Sequence, residues 1–443
     1  MDISLDKKTS TEASIKVKLK ESDYQPNVTE KVKEYARKAN IKGFRPGKVP
    51  ASLIKKMYGK SIMVEEVNNL LSKSLTDYIK GENIQIIGEP LPDQDKAANI
   101  DWENQKEFEF DYDIGLVDDF KYDISNKQKV KSYQIELDDK TMEETLTNIK
   151  KQFGEVTNPD EAEEGDGFFG EIKENEGDLT NQALINWEDL AKKEQKNFLK
   201  LKPSDSIELD PKKSFKDEHT VSHILNVSRE KATELNSKLT FTVKNINRTT
   251  PAELNQELFD KVFGKDAIKT EEEFLNKVRE TVEGNYSKET DYFLDQSVKD
   301  LLIEKTKIEI PTEFLKKWLL ISNEGKVTIE DIEKEFDEYV KSLKWDLIKN
   351  KIAQDVEIKV ENEEVVDKAK SLILQQLGGA GAAEQLKDHM DGFADNYLKA
   401  ENGQNYMKLY SEVRDEKILD HIKESVTISE KKVGLEEFKK IVA

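Results

Sequence analysis

Apolar and polar residues alternate near the N-terminus of this chain. Between Ala13 and Leu19 every second side chain is apolar, and the residues between them are Ser or Lys. This period of two predicts a half-buried strand over 12–20. Two later apolar runs, at 84–87 and 108–114, are also predicted to be strands.

Helical spacing separates these strands. Apolar residues recur every three or four positions after Pro26. After Pro50, a short helical stretch is predicted to precede a longer helix that stops at Gly81. A strand, segregated helices and two further strands indicate an α+β module over 1–115.

The middle of the chain changes character twice. Residues 116–153 are predicted to be a connector that contains one extended piece and one helix, closed by Gly154. From 154 to 248, Gly, Asp and Pro interrupt short apolar runs, which indicates a small β-rich domain with one helix over 187–199. Its strands are predicted at 167–172, 206–209 and 239–245.

Residues 249–443 are predicted to be almost wholly helical. Phe274 begins an apolar stripe that recurs every four residues to Tyr286. Thr328 opens a capping box, and the glycine-rich segment from Gly378 to Gly381 is predicted to interrupt the helices as a flexible elbow. The fold class is therefore α+β multidomain, with an α+β N-terminal domain, a small β-rich insert and an elongated all-α C-terminal domain.

Composition narrows the possible classes of protein. The chain has 443 residues, 36% of them charged, and no cysteine. This length suggests about three domains, and the lack of cysteine excludes disulfides, thiolate catalysis and Cys-ligated metals. The N-terminus has no apolar signal region and no apolar run is long enough to span a bilayer, so we expect a cytoplasmic protein.

Charge is distributed unevenly. The net charge is −21, yet residues 1–60 hold 15 Lys/Arg against 7 Asp/Glu, a local charge of +8. A basic N-terminal module on an acidic body is expected if one end of the molecule meets nucleic acid. The alternative is a chance cluster of solvated lysines.

The segment from Gly43 to Pro50 carries the most specific chemistry. It reads Gly-Phe-Arg-Pro-Gly-Lys-Val-Pro, and its glycines and prolines predict a stiff loop between two helices. Phe44, Arg45 and Lys48 would then be held on an exposed tip, where an aromatic ring beside cations suits a polyanionic surface such as RNA. The alternative is a structural turn in which Phe44 is buried.

This segment resembles the ribosome-docking signature of the trigger factor family, bacterial chaperones that meet nascent chains at the ribosomal tunnel exit. The order of the modules is similar to that family, as is the stretch from Pro251 to Gly264 that enters the helical region. The resemblance implies ribosome binding by Gly43, Phe44, Arg45, Pro46, Gly47 and Lys48.

The resemblance also implies a domain plan and partners. Residues 1–115 would bind the ribosome, 116–153 would connect, 154–248 would form an FKBP-like prolyl isomerase domain, and 249–443 would form arms that bind clients. The expected partners are a large-subunit protein and ribosomal RNA at the tunnel exit, and nascent or unfolded polypeptides. A homodimer that buries the docking face off the ribosome, and no membrane association, are implied too.

Two features depart from the family pattern. Pro46 stands where the family often has Lys, which removes one cation from the tip. The insert lacks the Pro-Gly-Phe-Glu segment that lines the isomerase pocket, so we expect weak or absent isomerase activity. Phe198 and Trp187 either line a residual groove or, as is usual for large apolar residues in a small domain, belong to the core.

Other motifs in the sequence give little indication of a catalytic or ligand-binding site. Gly165 to Gly170 matches G-x-G-x-x-G, but it follows an acidic run and has neither the preceding strand nor the following helix of a dinucleotide site. His219 and His223 are four residues apart without the Glu of a zinc-protease motif, so surface histidines are the plainer interpretation. No cofactor and no metal are expected.

The sequence therefore favours an ATP-independent chaperone that docks at the tunnel exit and holds nascent or unfolded chains. The alternatives are an active peptidyl-prolyl isomerase whose other domains recruit clients, and a scaffold or assembly chaperone that does not bind ribosomes.

Overall fold

The computed structural model describes residues 1–42, 44–45, 47–376 and 389–442. Within it the chain divides into two compact units, each built from two stretches of sequence. Unit 1 comprises Met1–Ser132 and Tyr292–Ser429, and unit 2 comprises Tyr133–Asp291 and Glu430–Ala443. The predicted interruption from Gly378 to Gly381 lies outside the described residues.

The elements are named in chain order. The strands are β1 (Asp2–Lys7), β2 (Glu12–Leu19), β3 (Ile86–Pro92), β4 (Phe108–Leu116), β5 (Lys129–Glu136), β6 (Glu155–Thr157), β7 (Gly167–Glu174), β8 (Thr180–Asn186), β9 (Ser206–Leu209), β10 (Leu239–Thr250) and β11 (Thr427–Gly434). The α-helices are α1 (Glu21–Lys38), α2 (Ala51–Gly81), α3 (Gln94–Ala98), α4 (Asp139–Gln152), α5 (Gln195–Phe198), α6 (Glu218–Leu225), α7 (Arg229–Glu234), α8 (Gln256–Phe263), α9 (Glu271–Lys305), α10 (Thr312–Ser322), α11 (Ile329–Asp355), α12 (Asn362–Gln376), α13 (Met390–Lys399), α14 (Gln404–Ser425) and α15 (Leu435–Val442).

The N-terminal part of unit 1 is an antiparallel sheet covered by α1 and α2. The strand order is β1-β2-β4-β3, and the alternation predicted for β2 is confirmed, since its apolar side chains are at most 1% exposed. The sequence did not predict β1. The two helices predicted after Pro50 are one continuous helix, because burial of Ile54 and Ile62 on either side of Gly59 outweighs that glycine's low helix propensity.

Helix α10 packs against the sheet at two glycines. A Cβ atom added at Gly115 would stand 2.6 Å from Phe314 Cδ1 and 2.8 Å from Pro311 Cγ, and one added at Gly88 would stand 3.1 Å from Trp318. Nearby, Lys317 Nζ lies 3.3 Å from Asp113 Oδ2. Any side chain at Gly115 would therefore push α10 away from β4.

We expect Gly115→Ala to lower the free energy of unfolding by about 1–3 kcal/mol, because the added methyl group overpacks this contact. Gly284→Ala is the matched control: nothing lies within 4 Å of the added atom in α9, so that variant should gain about 0.5–1 kcal/mol. Thermal denaturation measures both. Equal stability of the Gly115 variant and the wild type would contradict the packing.

The helical part of unit 1 shares one apolar core with β3, whose Ile87 and Leu91 belong to it. The fully buried members are Val298, Leu302, Leu315, Ile348, Ile352, Ile418 and Ile422. The predicted capping box is confirmed: Thr328 accepts a hydrogen bond from the Asp331 amide at 3.2 Å, and Asp331 accepts one from the Thr328 amide at 3.1 Å. These two bonds satisfy amides that would otherwise be unpaired at the start of α11.

The insert in unit 2 is a five-stranded sheet of order β6-β10-β7-β8, with β9 also paired to β10. Its predicted strands are confirmed as β7, β9 and β10. The sequence did not predict β6 and β8, or the helices α6 and α7. The helix predicted over 187–199 is wrong. The segment instead forms a 3₁₀ turn at Trp187–Asp189 and the four-residue α5, because Leu190 forms a β-bridge with Phe215 between them.

A second cluster of unit 2 joins α4, α8 and the first turns of α9. Phe259 and Phe274 stack with ring centroids 4.7 Å apart, and Met142 packs beside them. The first residues of the apolar stripe that begins at Phe274 are therefore buried in this core, as the period of the stripe predicted.

The predicted fold class is confirmed, since an α+β N-terminal part, a β-rich insert and a helical C-terminal part are all present. Among the helices of the described residues, none combines the length and apolar character needed to cross a membrane.

Candidate docking site

The loop between α1 and α2 is anchored at both ends. Ile41 is partly buried and Val49 is 6% exposed, and both pack against the N-terminal core. Pro50 caps the start of α2. The segment between these anchors is therefore held at a defined place on the surface.

Phe44 stands at the exposed tip of this loop. Its side chain is 40% exposed, while its amide donates a hydrogen bond to the Ile41 carbonyl at 3.0 Å. The Lys48 amide donates to the Arg45 carbonyl at 2.9 Å. Gly47 has a φ of +78°, which non-glycine residues rarely adopt. The loop thus presents Phe44 outward and does not bury it as a structural turn would.

The two cations of the tip are exposed and unpaired within the part of the chain that the structure describes. No carboxylate of that part lies within ion-pair distance of Arg45 or Lys48. Gly43 and Pro46, the other two predicted site residues, lie outside the described residues. The tip therefore offers one apolar ring and two free positive charges to a partner.

The structure adds two aromatic side chains that the sequence analysis did not single out. Tyr35 on α1 is 38% exposed and Tyr58 on α2 is 44% exposed. Each occupies a position that helical spacing assigns to the buried face, so periodicity alone would place it in the core.

The insert places its two candidate groove residues differently. Phe198 is fully buried, with its ring centroid 4.9 Å from that of Phe168 and 6.5 Å from that of Phe241. Trp187 is half-buried against the same cluster. Phe198 packs within the core of the insert, which favours the core interpretation over a groove for this residue.

We expect at most weak acceleration of X-Pro isomerisation by this protein. The uncatalysed barrier is about 18–20 kcal/mol. Phe198 is buried in the core of the insert, so its ring is not available to contact a proline substrate. A protease-coupled proline-peptide assay should give a rate close to the uncatalysed one. A turnover comparable to that of FKBP-type enzymes would contradict this expectation.

The glycine-rich motif from Gly165 to Gly170 is a turn that leads into β7, and an ion pair between Asp166 and Arg248 holds this turn. Asp166 is 1% exposed, and it accepts hydrogen bonds at 2.9 Å from both Nε and Nη2 of Arg248. The Glu163 amide donates to the same carboxylate at 2.7 Å. Hydrogen bonding to Asp166 raises the pKa of Arg248 above its usual range. These contacts give the acidic loop a structural role.

The histidine pair shows no metal-binding arrangement. His219 and His223 are exposed on α6. Within the described ranges, no group of three or more His, Asp or Glu side chains is arranged to hold a metal ion.

The helical part of unit 1 exposes large apolar side chains. The more exposed ones are Tyr292, Leu320, Ile321, Ile329, Val356, Phe393 and Met407, from 37% to 68% exposed. An open groove of about 850 Å³ on α12, α13 and α14 has Val366, Leu398, Tyr406 and Met407 in its lining, together with charged residues such as Asp395 and Lys399. Single exposed apolar residues are ordinary on a protein surface, whereas apolar side chains that share one groove indicate a candidate binding surface.

Models of known protein families match most of the chain. The family model described as "Bacterial trigger factor protein (TF)" matches residues 1–149. Those described as "Probable trigger factor, FKBP-like domain" and "Probable trigger factor, C-terminal domain" match 156–251 and 290–442.

Individual relatives carry the same name. Trigger factor of Chloroherpeton thalassium is 25% identical over 399 residues, which cover 85% of this chain and 88% of that protein. Trigger factor of Chlorobaculum tepidum is 24% identical over 445 residues, 94% of each chain. A solved trigger factor chaperone, studied for promiscuous substrate recognition in folding and assembly, aligns with a TM-score of 0.45 and 16% identity, covering 95% of this chain and 99% of its own. Because the N-terminal, FKBP-like and C-terminal models of one family match in order along it, this chain belongs to the trigger factor family of chaperones.

Proposed function

We propose that this chain is an ATP-independent chaperone that docks at the ribosomal tunnel exit through residues 43–48 and holds nascent or unfolded polypeptides. One observation carries the proposal: Phe44, Arg45 and Lys48 are exposed together on a loop whose two ends are anchored in the core. A preorganised tip of this kind loses little conformational entropy on binding.

The chemistry of the tip suggests how docking works. The Phe44 ring enters an apolar pocket of a ribosomal protein, and Arg45 and Lys48 pair with RNA phosphates or acidic side chains around it. Pro46 contributes no charge, so two cations of the loop carry the electrostatic part of the affinity. Binding should therefore weaken as salt concentration rises.

Client binding is assigned to the helical region. Exposed apolar side chains on its helices, together with the groove beside Met407, match the apolar segments that an unfolded chain exposes. Many weak apolar contacts release a client as it buries its own apolar residues, so the cycle needs no nucleotide hydrolysis. In this proposal 1–115 docks, 116–153 connects, 154–248 is a further client-contact domain and 249–443 holds the client.

Co-sedimentation with salt-washed bacterial ribosomes tests the docking. We expect micromolar or tighter binding at low salt that falls steeply across a salt series. Suppression of aggregation of a chemically denatured protein, without nucleotide, tests holding. Absence of ribosome binding at every salt concentration would overturn the docking and leave a ribosome-independent chaperone.

A further inference from the structure

An exposed aromatic position interrupts the buried stripe of α2. Ile54 and Ile62 are 0% and 1% exposed. Tyr58 lies four residues from each, on the same helical face, yet it is 44% exposed. The stripe that packs on α1 is therefore uncovered for one turn.

The uncovered turn lies beside the docking loop. Lys31 Nζ on α1 is 3.4 Å from Glu65 Oε1 on α2, so the two helices pack side by side. A Cβ atom at Gly47 would be 3.6 Å from the Arg37 carbonyl, and Gly47 is four residues from the start of α2. The end of α1 and the first turns of α2 are thus at one end of the pair, and that end carries Tyr35, Phe44 and Tyr58.

This end is strongly basic. Residues 37–56 contain seven Lys/Arg and no Asp/Glu. Lys38 pairs with Glu34 at 2.5 Å. The other six find no carboxylate partner among the residues that the structure describes; they are Arg37, Lys42, Arg45, Lys48, Lys55 and Lys56.

We infer that this end of the helix pair binds unpaired nucleotides of ribosomal RNA, with bases stacked on Tyr58 and Tyr35 and phosphates held by the surrounding Lys and Arg. The inference rests on the proposed function and assigns RNA binding to residues outside the loop. Exposed rings beside unpaired cations are an arrangement that recognises single-stranded RNA. A single strand of RNA suits both features at once, because its phosphates pair with the cations and its unpaired bases stack on the rings.

The test uses the full chain and two labelled probes, a 12-nucleotide oligoadenylate and an RNA duplex of 12 base pairs, at one salt concentration. We expect the single strand to bind more tightly than the duplex. Tyr35→Leu/Tyr58→Leu should weaken single-strand binding about tenfold for each ring, whereas Tyr35→Phe/Tyr58→Phe should retain it because the rings remain. Tyr292→Leu, at a 68% exposed tyrosine on α9, is the matched control and should leave the affinity for the single strand unchanged.

Equal affinity for both probes, or equal affinity of the Leu and Phe double variants for the single strand, would overturn the inference. Circular dichroism of the Leu double variant confirms that the comparison is between folded proteins. Ribosome co-sedimentation separates the two proposals. If the wild type binds single-stranded RNA through the two rings but does not bind ribosomes, only the docking proposal is refuted. If the Leu double variant binds ribosomes as tightly as the wild type does, only the RNA-binding surface is refuted.

Discussion

Alanine at Phe44, Arg45 and Lys48 together is expected to weaken ribosome binding roughly 100-fold or more. A buried aromatic anchor typically contributes about 2–4 kcal/mol, and loss of two phosphate or carboxylate contacts adds to this. The slope of log affinity against log salt should also become shallower by about one to two. Titration of labelled protein with ribosomes at several salt concentrations measures both effects.

The matched control removes the same residue types elsewhere. Phe169→Ala/Arg229→Ala/Lys231→Ala deletes one exposed Phe, one Arg and one Lys from the insert, and it should bind ribosomes like the wild type. Aggregation suppression should survive the loop substitutions, since the exposed apolar helices are untouched. A similar loss in both triple variants would mean that bulk charge, and not the loop, determines binding.

Phe198→Ala should destabilise the insert by about 3–5 kcal/mol, the usual cost of deleting a fully buried phenylalanine. The ring lies between Phe168 and Phe241 in the core of the sheet, so its removal leaves a cavity that the surrounding strands fill only in part. Denaturant unfolding, followed by limited proteolysis of the insert, measures the effect.

Leu199→Ala is the adjacent control. Leu199 is 42% exposed, and its loss should cost no more than about 0.5–1 kcal/mol. If the Phe198 variant were as stable as the Leu199 variant but lost a measurable isomerase activity, Phe198 would be a pocket residue after all. That result would restore the enzymatic alternative.

Periodicity predicted the elements whose burial follows one regular face. β2 is an example, since every second residue from Ala13 to Leu19 faces the core. The start of α9 is another, with Phe274 and Val278 buried one turn apart. In both cases local spacing and tertiary packing favour the same conformation.

The elements that were not predicted correctly from the sequence depend on contacts between segments that are distant along the chain. The apolar residues from Trp187 to Leu199 have helix-like spacing, but pairing of Leu190 with Phe215 holds the chain extended. Helix α2 continues through Gly59 because residues on either side of it are buried by α1. Such pairings cannot be read from a window of neighbouring residues.

The candidate site was predicted in part for the same reason. Glycine and proline in the 43–50 segment indicated a loop, and the structure exposes Phe44, Arg45 and Lys48 on it. Tyr58 is 44% exposed, although the apolar pattern around it indicates a core position. The basic character of 37–56 was visible as composition, whereas the lack of carboxylate partners for Arg45 and Lys48 needed the structure.

Site-specific crosslinking on translating ribosomes tests the central claim most directly. A photoreactive phenylalanine analogue at position 44 keeps the aromatic ring, and the same analogue at Met407 reports on the helical region. The account predicts that position 44 crosslinks to a large-subunit component at the tunnel exit, and that position 407 crosslinks to the nascent chain. Crosslinks from position 44 to the nascent chain alone, or none to the ribosome, would contradict it.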